Sequence, residues 1–186
     1  GSIGVEPRGI VTLEDVRVPR QGALDAGADL DTALAEGLHL ERVVLRLDAL
    51  DLLAGRIVTR RIDITGGRFP LREDDGSVSP DFEVVPPDPD DAPTPVPVVQ
   101  VRGARVEVRR GGPGSHLAEG AVFEAALEHL DVTPRESDRH LIVTGRLNPK
   151  LTDAPDAAIY LEGDVDPDTG GFTATARWDP LRITPA

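Results

Sequence analysis

Apolar and polar residues alternate along several segments of the chain. Within residues 38–47 the apolar positions are 38 and 40 and then, after a change of phase near Arg42, 43, 45 and 47. Ile62 and Ile64 alternate with polar neighbours, and so do the valines of residues 99–108. An apolar residue at every second position is typical of strands that turn one face to an apolar core and the other to water. The change of phase predicts a β-bulge near Arg42.

Turn-forming residues separate these segments. The pair Gly66-Gly67 predicts a hairpin turn, because glycine adopts positive φ without steric cost. Residues 74–77 predict the end of the next strand, residues 102–104 a junction between two strands, and residues 166–171 a further turn. The strands predicted between these signals are 9–18, 38–47, 56–65, 68–73, 97–102, 105–110, 121–133, 139–147, 157–165 and 171–178.

The pattern predicts few helices. Residues 48–54 begin with an aspartate suited to capping, carry three leucines and precede Gly55. They are therefore predicted to form a short helix between two strands. Residues 24–36 fit either a helical turn or an irregular loop. We expect an all-β protein with one or two short helices, built as a long curved antiparallel sheet, a β-sandwich or a β-groove.

Length and composition bear on the domain organisation. The 186 residues suffice for one domain. Gly1-Ser2 resembles the remnant of tag cleavage, since the chain has no methionine, and we expect residues 3–186 to be one β domain taken from a longer protein. Pro86–Pro97 has proline at six positions, which excludes it from a central strand because proline lacks the N–H donor. It is predicted to be a long loop within one sheet, with a linker as the alternative.

The charge of the chain is strongly acidic. Its formal net charge is −13, and Lys150 is its only lysine. Such a surface argues against nucleic-acid binding and against docking flat on anionic lipid, because both partners carry negative charge. Solubility alone is the simplest role for this charge. The absence of cysteine excludes disulfides, Cys-ligated zinc and thiol catalysis.

Candidate catalytic or metal-binding chemistry is sparse. Asp164, Asp166 and Asp168 imitate the start of a calcium loop, in which alternate carboxylates converge on the cation. Thr169 and Thr175 stand where that loop requires glycine and glutamate, so an acidic hairpin tip is the favoured interpretation. The four histidines lack metal-ligand spacing, and no serine lies in a nucleophile elbow. We therefore expect a protein that is not an enzyme and holds no cofactor.

Residues 38–82 resemble the repeated unit of the AsmA/TamB family. A strand with alternating apolar residues leads into a short Leu-rich helix, and a Gly-Arg-Ile strand follows. A glycine hairpin then precedes a strand that ends in Arg-x-x-x-Gly. Residues 10–18 resemble the opening segment of the N-terminal region of this family, and residues 98–108 repeat the same pattern.

The resemblance implies a periplasmic segment of a protein whose N-terminal helix, absent from this sequence, anchors it in the inner membrane. It also implies a curved sheet whose apolar side carries phospholipids between the inner and outer membranes. Burial of acyl chains favours this path by about 0.8 kcal/mol per CH₂. Phospholipid or acyl chains are then the expected partner, and the candidate groove residues are Val43, Leu45, Leu47, Ile62, Ile64, Val106 and Val108.

Two alternatives stay open for these apolar positions. They can form the ordinary core between packed sheets, since apolar strand faces usually meet another sheet. The protein is then a structural or protein-interaction β-sandwich module of the cell envelope, with no lipid path and with edge strands available to an envelope protein partner.

Overall fold

The computed structural model of the chain describes residues 1–6, 9–82, 95–135, 140–150, 157–166 and 172–179. These residues form eleven strands and two short helices, so the predicted all-β class is confirmed. The helices are α1 (Leu30–Glu36) and α2 (Ala49–Leu53). The strands are β1 (Ser2–Glu6), β2 (Ile10–Val18), β3 (Leu38–Leu47), β4 (Thr59–Thr65), β5 (Arg68–Asp74), β6 (Ser77–Pro80), β7 (Val98–Arg110), β8 (Val122–Pro134), β9 (Leu141–Pro149), β10 (Ile159–Val165) and β11 (Phe172–Trp178).

All eleven described strands belong to one hydrogen-bonded sheet. Its order is β1-β2-β3-β4-β7-β8-β9-β10-β11, while β5 also pairs with β3 and β7, and β6 pairs with β5. Neighbours are antiparallel except that β7 runs parallel to β4 and β5. The prediction of a purely antiparallel sheet is wrong at this position. Parallel neighbours need a crossover connection of about a dozen residues or more, and residues 81–97 supply that length between β6 and β7.

The pair Gly66-Gly67 does not form the predicted hairpin turn. β4 and β5 pair with β7 in one unbroken register on either side of the glycines, so they follow one another as a single line of the sheet. The Gly66 N–H donates to the Arg102 carbonyl at 2.9 Å, and the Gly67 carbonyl accepts from the Arg105 N–H at 2.8 Å. Positive φ values of 69° and 117° allow this geometry, because glycine has no Cβ.

Three other differences concern the strands. Residues 98–110 form one strand, although residues 102–104 predicted a junction between two. The turn that ends β5 is confirmed, and Asp75 and Gly76, with φ of 51° and 75°, join β5 to β6 in a tight hairpin. The short strands β1 and β6 were not predicted. Ser2 opens β1, so a residue interpreted as a remnant contributes to the edge strand.

The helices follow the capping signals. The Asp48 carboxylate accepts two backbone N–H groups of the first turn of α2, which confirms the predicted short helix. Within residues 24–36, helix α1 begins after Asp29, whose side chain caps it, and Ala33 of this helix is fully buried.

Two predicted connections fall largely outside the described residues. These are most of Pro86–Pro97 and, beyond Asp166, the turn at residues 166–171. The strands before and after the first of these, β6 and β7, belong to the same sheet.

The regular β backbone is interrupted by one residue in each of five neighbouring strands, if β4 and β5 are counted as one. The five residues lie side by side across the sheet. They are Asp15, Glu41, Gly66, Gly103 and Glu128, which face one another in the registers of β2, β3, β4–β5, β7 and β8. Positive φ values occur at Asp15, Gly66 and Gly103, at 53°, 69° and 64°. We call this row of five residues the transverse break.

The transverse break explains the change of phase in the apolar pattern. At this level, successive apolar residues of one face are three positions apart, as with Leu40 and Val43 of β3 or Val101 and Ala104 of β7. Each of these strands carries one residue of the transverse break, directly opposite that of its neighbour. The pairing register between neighbouring strands from β2 to β8 is therefore the same on both sides of the break.

The predicted bulge near Arg42 is therefore wrong. The pairing of β3 keeps one register through Arg42 and shifts only between Arg46 and Leu47. β9 lacks the extra residue, and the register of β8 against β9 accordingly shifts between Leu127 and His129.

Candidate apolar binding face

One face of the sheet carries most of its apolar side chains, and we call it the apolar face. Two clusters of buried residues lie on it, the first from β3 and the second from β7 and β8. These residues are Leu38, Leu40 and Val43 in the first cluster and Val101, Ala104, Val106 and Leu127 in the second. Ile64 and Phe69 pack against both clusters, so the apolar surface is continuous between them.

Six of the seven predicted groove residues lie in this surface. Val43 and Val106 are buried members of the clusters. The half-buried residues packed against them include Leu45, Ile62, Ile64 and Val108. The seventh, Leu47, is half-buried at the end of β3 and belongs to neither cluster.

The apolar face extends beyond the predicted residues. Leu13, Val16 and Val18 of β2 pack against the first cluster, while Leu130 of β8 and Leu147 of β9 pack against the second. The sequence predicted strands at residues 9–18 and 121–133. It did not show that these strands adjoin β3 and β7, because pairing depends on residues far apart in the sequence.

The opposite face of the sheet is polar, and we call it the charged face. Its side chains form ion pairs between neighbouring strands, such as Arg46–Asp63 at 3.2 Å and Arg102–Asp131 at 2.9 Å. Partial burial acts to raise the pKa of Asp63, but hydrogen bonds from Arg61 and Arg46 outweigh it and hold that pKa below its ordinary value. The two faces of the sheet therefore differ sharply in polarity.

The described residues hold no group of three or more acidic or histidine side chains arranged to bind a metal ion. Of the calcium-loop acids, Asp164 of β10 pairs with Arg135 and His140 instead. Asp166 follows the end of β10, and Asp168 lies outside the described residues.

No family model matches the chain, and a comparison with curated proteins finds no significant match. Neither helix in the described part of the chain is long and apolar enough to cross a bilayer. The structure defines a mainly β protein with one large mixed sheet, of which one face is apolar and the other charged.

Proposed function

We propose that the apolar face binds acyl chains. On this proposal the chain is a non-catalytic periplasmic segment of an inner-membrane-anchored, AsmA/TamB-like protein that carries phospholipids between the inner and outer membranes. The observation that carries it is the continuous apolar surface to which strands β2–β5 and β7–β9 contribute. The resemblance of residues 38–82 to the AsmA/TamB repeat supplies the cellular setting.

The partial exposure of the apolar face supports a hydrocarbon ligand. Val16, Leu45, Ile62 and Leu130 pack against the buried residues, yet each remains half-buried. Each CH₂ group that leaves water for such a surface contributes about 0.8 kcal/mol. Valine, leucine and isoleucine supply contact without hydrogen bonds, so binding of this kind requires no polar constellation and the phosphate headgroup stays in water.

A second candidate function is a structural or protein-interaction module of the cell envelope. The edge strand β1 favours it, because all five of its residues are exposed, including Ile3 and Val5. An open edge presents backbone N–H and C=O groups that can pair with a strand of a partner protein.

Neighbouring residues on β3 provide a matched test of lipid binding. Val44 and Leu45 are both half-buried and point to opposite faces, because successive side chains of a strand alternate. The photoreactive residue p-benzoylphenylalanine is placed at position 45 or, as the control, at position 44 of the delipidated protein. After illumination with radiolabelled phosphatidylethanolamine, we expect label at position 45 and little at position 44. Equal label at both positions, or label at neither, contradicts lipid binding by the apolar face.

Mass spectrometry of organic extracts separates the two candidate functions. Protein purified without detergent is extracted with chloroform and methanol, and the phospholipid is quantified against protein. We expect phospholipid in a stoichiometric amount if the apolar face carries acyl chains. An extract free of lipid, together with no photolabelling at position 45, favours the interaction module.

A further inference from the structure

A depression opens on the charged face along the transverse break. Its volume is about 430 Å³. Small residues, Gly67, Gly103 and Ala126, make up part of its lining, so no long side chain occupies these positions. Gly103 shows how open the space is, since a Cβ added there would meet no atom within 4 Å.

Cationic side chains from different strands surround this depression. Arg68 comes from β5, Arg105 from β7 and Lys150 from the residue after β9, and His39 of β3 lies beside them. Glu41 is the one carboxylate among the described lining residues. This concentration of positive charge contrasts with the net charge of −13, and it includes the only lysine of the chain.

Arg68 is held in place by backbone carbonyls rather than by a carboxylate. Its Nη2 donates to the carbonyls of Ala35 and Gly37, the second at 2.9 Å. Its Nε is buried and has no hydrogen-bond partner among the described residues. The guanidinium group is therefore fixed in position while its positive charge has no counter-ion in the described part of the chain.

The other two cations differ in how well they are neutralised. Arg105 lies 3.9 Å from the carboxylate of Glu107, which is closer to Arg109 at 3.1 Å. Lys150 pairs with Glu124 at 2.6 Å, and its hydrogen bond lowers the pKa of that carboxyl. Arg105 also helps to lower the pKa of Glu124, so it is loosely paired with two carboxylates, whereas Arg68 forms no ion pair among the described residues.

We propose that this depression binds the phosphate group of a phosphate ester through Arg68 and Arg105. Guanidinium groups present planar, forked N–H donors that match the oxygens of phosphate. The shared chemistry is a phosphate ester, carried either by a small soluble molecule or by a lipid headgroup. The depression lies on the face opposite the proposed acyl-chain surface, so this site does not depend on the proposed function.

Isothermal titration of the whole chain with sn-glycerol 3-phosphate tests the site. Arg105→Gln removes one proposed ligand, and Arg110→Gln, at the end of the same strand and outside the depression, is the matched control. A charge-assisted hydrogen bond contributes enough that we expect Arg105→Gln to weaken binding at least about tenfold. We expect Arg110→Gln to change binding by less than about twofold, because it removes the same charge away from the site. Equal weakening by both variants, or no binding by the unmodified chain at millimolar ligand, overturns the proposal.

A gain of affinity distinguishes a binding site from structural damage. Glu41→Gln removes the negative charge from the lining, so we expect glycerol 3-phosphate to bind several-fold more tightly. Misfolding cannot produce this gain, and weaker binding by Glu41→Gln overturns the proposal.

A vesicle-binding experiment shows whether the bound phosphate belongs to a lipid headgroup or to a soluble ester. Flotation with phosphatidic acid vesicles is compared with the titration, again with Arg105→Gln and Arg110→Gln. Flotation that depends on Arg105 supports a lipid headgroup, and Arg105-dependent binding of glycerol 3-phosphate alone supports a soluble ester. Arg105-dependent binding in neither experiment overturns the site, whatever the photolabelling at position 45 shows.

Discussion

Gly67 approaches the backbone of His39 so closely that a Cβ at position 67 would lie 2.3 Å from the His39 carbonyl oxygen. The two residues belong to neighbouring lines of the sheet, next to the transverse break. Gly67 also has φ of 117°, a conformation that side chains disfavour. Both the close approach and the backbone conformation therefore require glycine here.

Three alanine substitutions separate these two requirements. Gly67→Ala introduces the contact and the strained φ, and we expect it to lower the free energy of unfolding by more than about 2 kcal/mol. Gly103→Ala introduces only the strained φ of 64° into open space, and we expect a loss of about 1 kcal/mol. Gly4→Ala meets no atom within 4 Å and has no positive φ, so its effect stays within about 0.5 kcal/mol. Urea unfolding followed by circular dichroism measures all three, and equal losses at Gly67 and Gly103 contradict the close approach.

Arg20 joins two acidic residues that differ in burial. Its Nη1 contacts the exposed carboxylate of Glu36 at 3.1 Å, and its Nε contacts Asp81 at 3.2 Å, whose side chain is only 5% exposed. Arg20→Gln leaves Asp81 buried without its cation, and we expect a loss of about 2 kcal/mol. Glu36→Gln removes a solvated partner and is expected to cost about 0.5 kcal/mol or less. Urea midpoints of the two variants check this, and a Glu36→Gln loss as large as that of Arg20→Gln rules out the dominant role of Asp81.

Two leucines test which side chains form the core. Leu127 is 4% exposed within the second apolar cluster, whereas Leu53 of α2 is 87% exposed. Leu127→Ala is expected to cost about 2–4 kcal/mol, because a buried leucine loses its transfer free energy and leaves a cavity. Leu53→Ala is expected to cost less than about 0.5 kcal/mol. Thermal and urea unfolding give both values, and similar losses contradict the burial of Leu127 within the second apolar cluster.

Glu73 links the β5–β6 hairpin to the segment that follows β7. Its carboxylate accepts hydrogen bonds from the Ser115 hydroxyl, the Gly76 N–H at 2.8 Å and the His116 N–H at 2.9 Å. The Ser115 hydrogen bond is the largest cause that lowers the pKa of Glu73 below its ordinary value of 4.5, and the backbone N–H groups add to it against the effect of burial.

A lowered pKa in the folded state sets the sign of the pH dependence. The stability from Glu73 is complete above the pKa of the unfolded chain and disappears as pH falls through the lower folded pKa. We therefore expect Glu73→Gln to have a lower urea midpoint than the unmodified protein at about pH 7. This difference should shrink progressively below about pH 4.5. A difference that stays constant over this range contradicts the role of the ionised carboxylate.

The local pattern predicted much of the apolar face. Val43, Ile62 and Val106 were identified from alternation alone, because successive side chains of a strand point to opposite faces whatever its neighbours are. The cap of α2 was equally local, since Asp48 contacts N–H groups only two and three residues away. The sequence pattern also carried the change of phase at residues 40–43, although it was interpreted as a bulge.

The cationic depression was not predicted from the sequence. Its charged residues, His39, Arg68, Arg105 and Lys150, are spread over most of the chain. Only the pairing of β3, β5, β7, β8 and β9 brings them around one space, and no local spacing rule describes such a set.

The sequence by itself determined the position of most of the longer strands, the apolar side of strands such as β3 and β7, and the short capped helix, because these depend on residues within a few positions of one another. Tertiary structure decided that β7 lies parallel to β4 and β5 and that Gly66-Gly67 continues a strand line instead of turning. Glycine permits both a turn and a continuous line, so the choice depends on hydrogen bonds to Arg102 and Arg105, which lie far along the chain. Alignment of the five interruptions in one transverse break likewise arises only when the strands pair.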